Sequence, residues 1–297
     1  MKEDALLELF YDYLQYEKRV SPNTFHAYKN DLSCFYSFLN DQKLVDIAVT
    51  TDDIESFKKH IKKEGRATSS VSRCLSSVRA LYTFLQKNDI VKQNPARSVK
   101  NDKSCEKQFD ILSAEEIDTL IGQPSGTDEK SIRDRAILEL LYATGLKVSE
   151  LIALDYTDFN QSLSTIRCKN SSSKKERVIP LYPKIKKLLS NYIAHSRKYL
   201  VFSDDETALF VNINGSRMTR QGLWKIIKQY ATQAGINKEI TPCTLRHSFA
   251  AHLLEHGADV FQLRDVLGHS DISSTNVYVN FLKQKNTNSL LKFHPHA

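Results

Sequence analysis

Three observations predict a mainly α protein of two domains with one small β element. Apolar residues recur at three- and four-residue steps through most of the chain, a polar aperiodic stretch breaks that rhythm after Pro95, and one pair of short β-branched runs flanks a polar loop. The 297 residues exceed one average domain, which leaves room for two of ordinary size.

The first domain is expected over residues 1–95. Its N-terminus, MKEDALLELFYDYL, places acidic residues ahead of an amphipathic pattern and has no small-residue cleavage site, so it reads as a helix rather than a signal peptide. Ser21-Pro22 supplies an N-cap with proline at the first helical position, and Phe25, Tyr28, Leu32, Phe35 and Leu39 form one apolar stripe behind it. Another start falls at Thr50-Thr51-Asp52-Asp53, leading into Ile54, Phe57 and Ile61. A further helix carries Val71, Leu75, Val78, Tyr82 and Leu85, with Ser69, Ser70, Ser72, Arg73, Ser76, Ser77 and Arg79 on its other face. Small hydroxyls beside arginines let a helix approach a phosphate backbone, although a merely solvated face has the same composition.

The stretch 96–108, ARSVKNDKSCEKQ, is polar, charged and without period, as a linker is. A second domain, residues 109–297, opens on a capping box of Ser113 and Glu116. Helices are predicted over 132–142, ending at Thr144-Gly145, then from Val148, and over 183–199, 220–234, 244–255, 260–267 and 273–281. Thr165–Cys168 and Arg177–Pro180 flank KNSSSKKE, a hairpin with a basic tip.

Composition narrows the function classes. Hydrophobic residues make up 41%, enough for real cores, and no apolar run approaches the roughly 18 residues of a membrane span, so no membrane association is expected. Five cysteines, odd in number and without a CxxC pair, argue against a disulfide framework or a structural zinc site and for a reducing cytoplasm. A net charge of +7 suits a polyanionic partner, but so modest an excess decides nothing alone.

The stretch Thr241 to Asn280, TPCTLRHSFAAHLLEHGADVFQLRDVLGHSDISSTNVYVN, decides more. It resembles the signature of the tyrosine-recombinase (phage-integrase) family, and its Xer group in particular. The pattern has an arginine after a short cap (Arg246), the helix His247–Ala258, a Leu267-Gly268-His269-Ser270 turn, and a tyrosine nine residues past that histidine (Tyr278). Further stretches extend the resemblance over nearly the whole chain. LELFYDYLQYEKRVSPNTFHAYKNDLSCFYSFL is similar to the family's helical, SAM-like core-binding domain, LLYATGLKVSELIALDYTDF to the region of its first catalytic residue, and KKERVIPL to the strand after its catalytic hairpin. The ending LKFHPHA resembles a tail that docks into a neighbouring protomer.

The resemblance implies a two-domain DNA clamp, with a core-binding domain and a catalytic domain on opposite faces of a duplex. It implies a site-specific recombinase that cuts and rejoins double-stranded DNA as a homo- or hetero-tetramer. Tyr278 would attack phosphorus and hold the strand as a 3′-phosphotyrosine, after which the freed 5′-hydroxyl attacks that linkage on a partner duplex. Bond energy is conserved, so neither metal nor nucleotide cofactor is needed. Arg246 would clamp nonbridging oxygens with its planar fork, and His269 would add a donor to the phosphate or help the tyrosine lose its proton. Glu150 would support the first basic residue. Arg73, Arg79, Lys169, Lys174, Lys175 and Arg220 would contact DNA.

Three positions depart from the family. Lys147 stands where it has arginine, which keeps the charge but replaces a fork with a point contact. Cys243 stands where it has histidine, and a thiol is a weak donor. Anchored on KERVIPL, the catalytic lysine of the hairpin falls on Ser172, leaving Lys169 and Lys174 as candidates to protonate the leaving oxygen. Losing one preorganised donor costs roughly a hundred- to a thousandfold in rate. Two readings follow: an active recombinase with a compensated site, or an impaired Xer-like paralogue that binds DNA or serves as a partner subunit.

Overall fold

Helix starts in the first part of the chain fall where the caps place them. In the computed structural model, which describes residues 3–102, 110–169 and 176–292, Ser21 Oγ accepts from the Thr24 N–H with Pro22 at the first helical position. Thr50 and Asp53 cap each other reciprocally. Contacts divide the chain into two units, Met1–Lys107 and Gln108–Ala297. The first holds α1 (Glu3–Asp12), which runs into a π-helical turn (Tyr13–Glu17), then α2 (Pro22–Asp41), α3 (Thr51–Lys63) and α4 (Thr68–Lys87). Their apolar stripes form one core, in which Phe57 of α3 meets Phe35 and Phe38 of α2 at ring-centroid distances of 5.0 and 5.3 Å.

Two local expectations change here. Ser77, assigned to the solvent face of α4, is buried and donates to Asp31 Oδ2 at 2.9 Å. The start of the stretch read as a linker belongs to this unit: Ala96 and Val99 are buried in its core, and Lys58 Nζ donates to the Lys100 carbonyl at 2.7 Å. Two apolar residues three apart are too few to register as a period, so only packing reveals them.

The second unit holds α5 (Ala114–Gly122), α6 (Glu129–Thr144) and α7 (Val148–Ala153), followed by β1 (Phe159–Asn160), β2 (Thr165–Lys169) and β3 (Glu176–Pro180). After these come α8 (Pro183–Asn191), a π-helical turn (Tyr192–Arg197), α9 (Lys198–Leu200), α10 (Arg220–Gln233), α11 (Pro242–Glu255), α12 (Val260–Leu267) and α13 (Ser273–Lys292). The sheet is antiparallel in the order β1-β2-β3, with Ile166 opposite Ile179 and Cys168 opposite Arg177. The hairpin is the expected one. Strand β1 was not foreseen, since two residues carry no period.

Helices α6 and α11 lie at the centre. Each is buried on nearly every side and takes polar residues inside with the apolar ones, Arg133, Asp134 and Glu139 on α6 and Thr244, Arg246 and Ser248 on α11. Packed against each other, they bring the C-terminal end of α6 to the middle of α11, where the site is built. Helix α13 runs eleven residues beyond the expected end at Phe281. Ser172, Lys174 and Lys175 at the hairpin tip, and the tail from residue 293, lie outside the described residues. Among the described residues, no helix is long and apolar enough to cross a membrane, and no cluster of three or more His, Cys, Asp or Glu could hold a metal.

Candidate active site

Arg246 is the centre of the second unit's polar cluster. It sits in α11, whose N-terminus is fixed by Thr241 accepting from the Thr244 N–H and by Pro242 at the first position. Only 7% exposed, its guanidinium donates from Nη1 to the Gly145 carbonyl at 2.5 Å and from Nη2 to the Leu267 carbonyl at 2.8 Å. The first acceptor exists because α6 ends on a left-handed glycine, Gly145, at φ 59°. A Cβ there would also lie 2.4 Å from the Phe249 ring. The second lies at the C-terminus of α12, which closes on the left-handed Gly268.

His269 follows that glycine directly. Its Nε2 lies 2.8 Å from Arg246 Nη2 and its Nδ1 2.9 Å from the hydroxyl of the buried Thr275. A guanidinium can only donate, so Nε2 accepts and the proton sits on Nδ1, pointing at Thr275. Burial, with the positive charges of Arg246, Lys147 and Arg177, pushes the imidazole down from 6.5 to about 4. At neutral pH it is uncharged.

Tyr278 lies in the second turn of α13, 3% exposed, in one apolar cluster with Phe249, Leu263 and Leu267. Its Oη is 2.8 Å from Nδ1 of His247, the residue after Arg246. Burial raises the phenol above its ordinary value, while Arg246 pulls the other way through its charge and a hydrogen bond.

Lys147 forms the entrance of α7, where its backbone N–H donates to Glu150 Oε2 at 2.9 Å. Burial pushes its ammonium below its usual range, aided by Arg246 and Arg177 and opposed by Glu150. Glu150, 2% exposed, is held by a two-pronged pair: Arg177 Nη1 to Oε1 at 2.9 Å and Nη2 to Oε2 at 2.8 Å. Burial would raise this carboxyl, but Arg177 and the Lys147 N–H hold it low. Arg177 reaches across from β3, donates Nε to the Val266 carbonyl at 2.8 Å, and fills the space beside Gly268 so closely that a Cβ there would come 2.7 Å from its Nη1. Cys243 is exposed one turn before Arg246 and acts electrostatically on both Arg246 and Tyr278.

Lys147, Arg246, His269, Tyr278 and Cys243 thus share one site. Arg177, Thr275 and the contact of His247 with Tyr278 are additions that the sequence did not single out. The position of His247 beside Arg246 in a matched motif was the available signal for it; nothing signalled Thr275. Of the residues expected to meet DNA, Lys169 and Arg220 are exposed, at the end of β2 and the start of α10. In the first unit the side chain of Arg73 is 54% exposed although Nη2 reaches Asp31 at 2.8 Å. Arg79 donates Nε and Nη2 to the Ala96 and Val99 carbonyls at 3.1 and 2.9 Å, which ties it to its own fold.

What can such a site do? Lys147, Arg177 and Arg246 carry three positive charges against the single carboxylate of Glu150, all beside a tyrosine hydroxyl. That excess suits an anion such as a phosphodiester, with the hydroxyl placed to attack it.

Comparison with known proteins agrees with this chemistry. A sequence profile described as "Phage integrase family" matches residues 110–285, and one described as "Phage integrase, N-terminal SAM-like domain" matches residues 7–89. The chain is 41% identical over 297 residues to a protein of Oceanobacillus iheyensis named tyrosine recombinase XerD, covering 98% of each chain. It is 37% identical over 295 residues to a protein of the same name from Staphylococcus epidermidis, covering 99% of this chain and all of the relative. Among solved structures it resembles the XerA recombinase (25% identity, TM-score 0.55, 98% of this chain and 99% of the other). The fold is shared with XerH site-specific recombinase bound to palindromic difH substrate in a post-cleavage complex (20% identity, TM-score 0.76, 89% of this chain and 78% of the other).

Proposed function

The chain belongs to the phage integrase family and is a site-specific tyrosine recombinase, and from that premise we propose how its own residues cut and rejoin DNA. Tyr278 Oη attacks the scissile phosphorus and expels the 5′-oxygen, leaving a 3′-phosphotyrosine. Arg246 turns its fork to the nonbridging oxygens, supported by the ammonium of Lys147, whose charged form a phosphate would stabilise against the cost of burial. His269 is neutral and anchored by Thr275; its Nε2, released as Arg246 moves to the phosphate, takes up a proton and becomes a second donor. Cys243 lines the site at its open edge and contributes no strong donor. Glu150 and Arg177 hold the entrance of α7 and the turn at Gly268 in register, and so act as positioning residues. The leaving 5′-oxygen takes its proton from Lys169, from Lys174 at the hairpin tip, or from water, Ser172 lacking a proton of suitable acidity.

The observation that carries this reading is the bond from Arg246 Nη2 to His269 Nε2 at 2.8 Å, with Tyr278 Oη held by the next residue of the same helix. Double-stranded DNA is the substrate, gripped by exposed Lys169, Arg220 and Arg73 together with Lys174 and Lys175, with Arg79 the weakest contributor because its fold already uses two of its donors. Residues 1–95 serve as the core-binding domain, 96–108 as its connection, and 109–297 as the catalytic domain. Protomers act as a tetramer, homo- or heteromeric, on two duplexes in the cytoplasm, exchanging the segment beyond Phe281.

A nicked suicide duplex carrying the recognition site tests the reading. A covalent protein–DNA adduct is expected, resistant to denaturant and abolished by Tyr278→Phe. Specific binding without adduct, in the wild type and in a Lys147→Arg/Cys243→His variant alike, would overturn it; adduct in the double variant alone would identify an impaired paralogue.

A further inference from the structure

A buried phenol must lose its proton to attack phosphorus, and His269 is poorly placed to take it. In this structure the Nε2 of His269 already accepts from Arg246, and its Nδ1 faces Thr275 rather than Tyr278. The ring nitrogen that meets Tyr278 Oη belongs to His247: Nδ1 lies 2.8 Å away, within the reach required of a base, with the two rings 5.6 Å apart between centroids. Its helix, α11, packs directly on α13, so the approach is set by two fixed backbones rather than by a loop. The side chain is neither fully buried nor fully exposed.

We propose that His247 is a catalytic residue that takes the phenolic proton of Tyr278 during cleavage and returns it during rejoining. The inference rests on Tyr278 being the nucleophile, as argued above. In the forward step the Oη–P bond forms, the P–O5′ bond breaks, the phenolic proton passes to His247 Nδ1, and O5′ takes a proton from a hairpin lysine or water. In rejoining each transfer reverses, so no oxidant, metal or other reagent enters the balance. The charged and titratable groups around the pair are Arg246 and Cys243 on the same helix and, through Arg246, His269, Lys147, Glu150 and Arg177. Arg246 opposes a second positive charge next door, but the phosphate that enters with DNA supplies the compensating negative charge. With Cys243 in place of a histidine one turn away, His247 is the α11 side chain left to accept this proton.

The test is single-turnover cleavage of the suicide duplex by the full-length protein with His247→Asn and His247→Gln. Asparagine keeps a hydrogen-bonding atom near Nδ1 but cannot accept a proton at neutral pH. Slowing by roughly a hundredfold or more is expected, with DNA binding in gel shift and the melting temperature unchanged. Raising the pH is expected to recover part of the loss, because hydroxide then removes the proton. A duplex with sulfur in place of the 5′-bridging oxygen gives a leaving group that needs no acid; it is expected not to rescue His247→Asn, whereas it would rescue loss of an acid. Cleavage within about twofold of wild type, faster cleavage, as if the bond merely restrained Tyr278, or rescue by the sulfur substrate would each overturn the proposal. Absence of adduct in the wild type would instead refute the assignment of Tyr278. If either variant melts early, the pH profile and sulfur response of the other decide.

Discussion

Two buried arginines in the second unit make opposite use of the same chemistry. Arg133, in α6, donates Nε and Nη2 to Asp134 Oδ1 at 2.9 and 2.7 Å and Nη1 to the Val211 carbonyl at 3.0 Å, while Tyr230 donates to Asp134 Oδ2 at 3.1 Å. One positive charge meets one negative charge, and each of the three guanidinium nitrogens has an acceptor. Arg246 faces no such partner. It donates to two carbonyls and a neutral imidazole, and Glu150, the carboxylate that acts on it among the described residues, is already gripped by Arg177. The first arrangement completes itself; the second leaves positive charge that only an incoming anion can balance. Burial alone therefore does not mark a functional arginine. The charge balance around it does.

The comparison is broken most severely at Arg133. Replacing it with methionine leaves Asp134 buried without its cation and is expected to cost about 3–5 kcal/mol of stability, read as the denaturation midpoint. Next comes Arg246→Met. It is expected to slow covalent adduct formation roughly a hundred- to a thousandfold, about 2.7–4 kcal/mol of transition-state stabilisation. Its denaturation midpoint should stay level or rise, since an uncompensated charge is removed. A large loss of stability there would erase the contrast between the two sites.

A smaller effect concerns acid. His269 has its pKa depressed from 6.5 to about 4, so between those values the unfolded chain binds a proton that the folded chain refuses. Its contribution to stability is full above 6.5 and is lost as the pH falls toward 4, at most about 3.5 kcal/mol at about 1.4 kcal/mol per unit of separation, and less in proportion to the solvent that reaches the half-buried ring. Melting curves of wild type and His269→Gln should diverge above pH 6.5 and converge near 4; a constant gap would show that the imidazole is not held neutral. The smallest change is expected from Cys243→His, which adds one donor at the edge of the site and should speed cleavage up to about tenfold, the worth of one further hydrogen bond of about 1.4 kcal/mol.

Much of this was legible in the chain because it depends on local order. The caps at Ser21, Thr50 and Ser113, the hairpin of β2 and β3, and the span of α12 follow from side chains hydrogen-bonding to backbone a few residues away or from short-range periodicity. Arg246, His269 and Tyr278 were legible for a different reason: the segment between Thr241 and Asn280 folds as three consecutive helices, so spacing along the chain maps directly onto proximity. Ser77 and Val99 were not legible, since what buries them is another part of the chain.

The sequence by itself determined the helical class, the family and the identities of Arg246, His269 and Tyr278, the groups proposed to act on the phosphate. Tertiary structure decided which of those groups are charged and which already have partners. Arg177 reaches Glu150 across 27 positions and His247 meets Tyr278 across 31, and no local pattern encodes such pairs. Packing α6 against α11 removes the water that would otherwise level every charge, so the tuning of Lys147, His269 and Tyr278 arises only when the fold is complete.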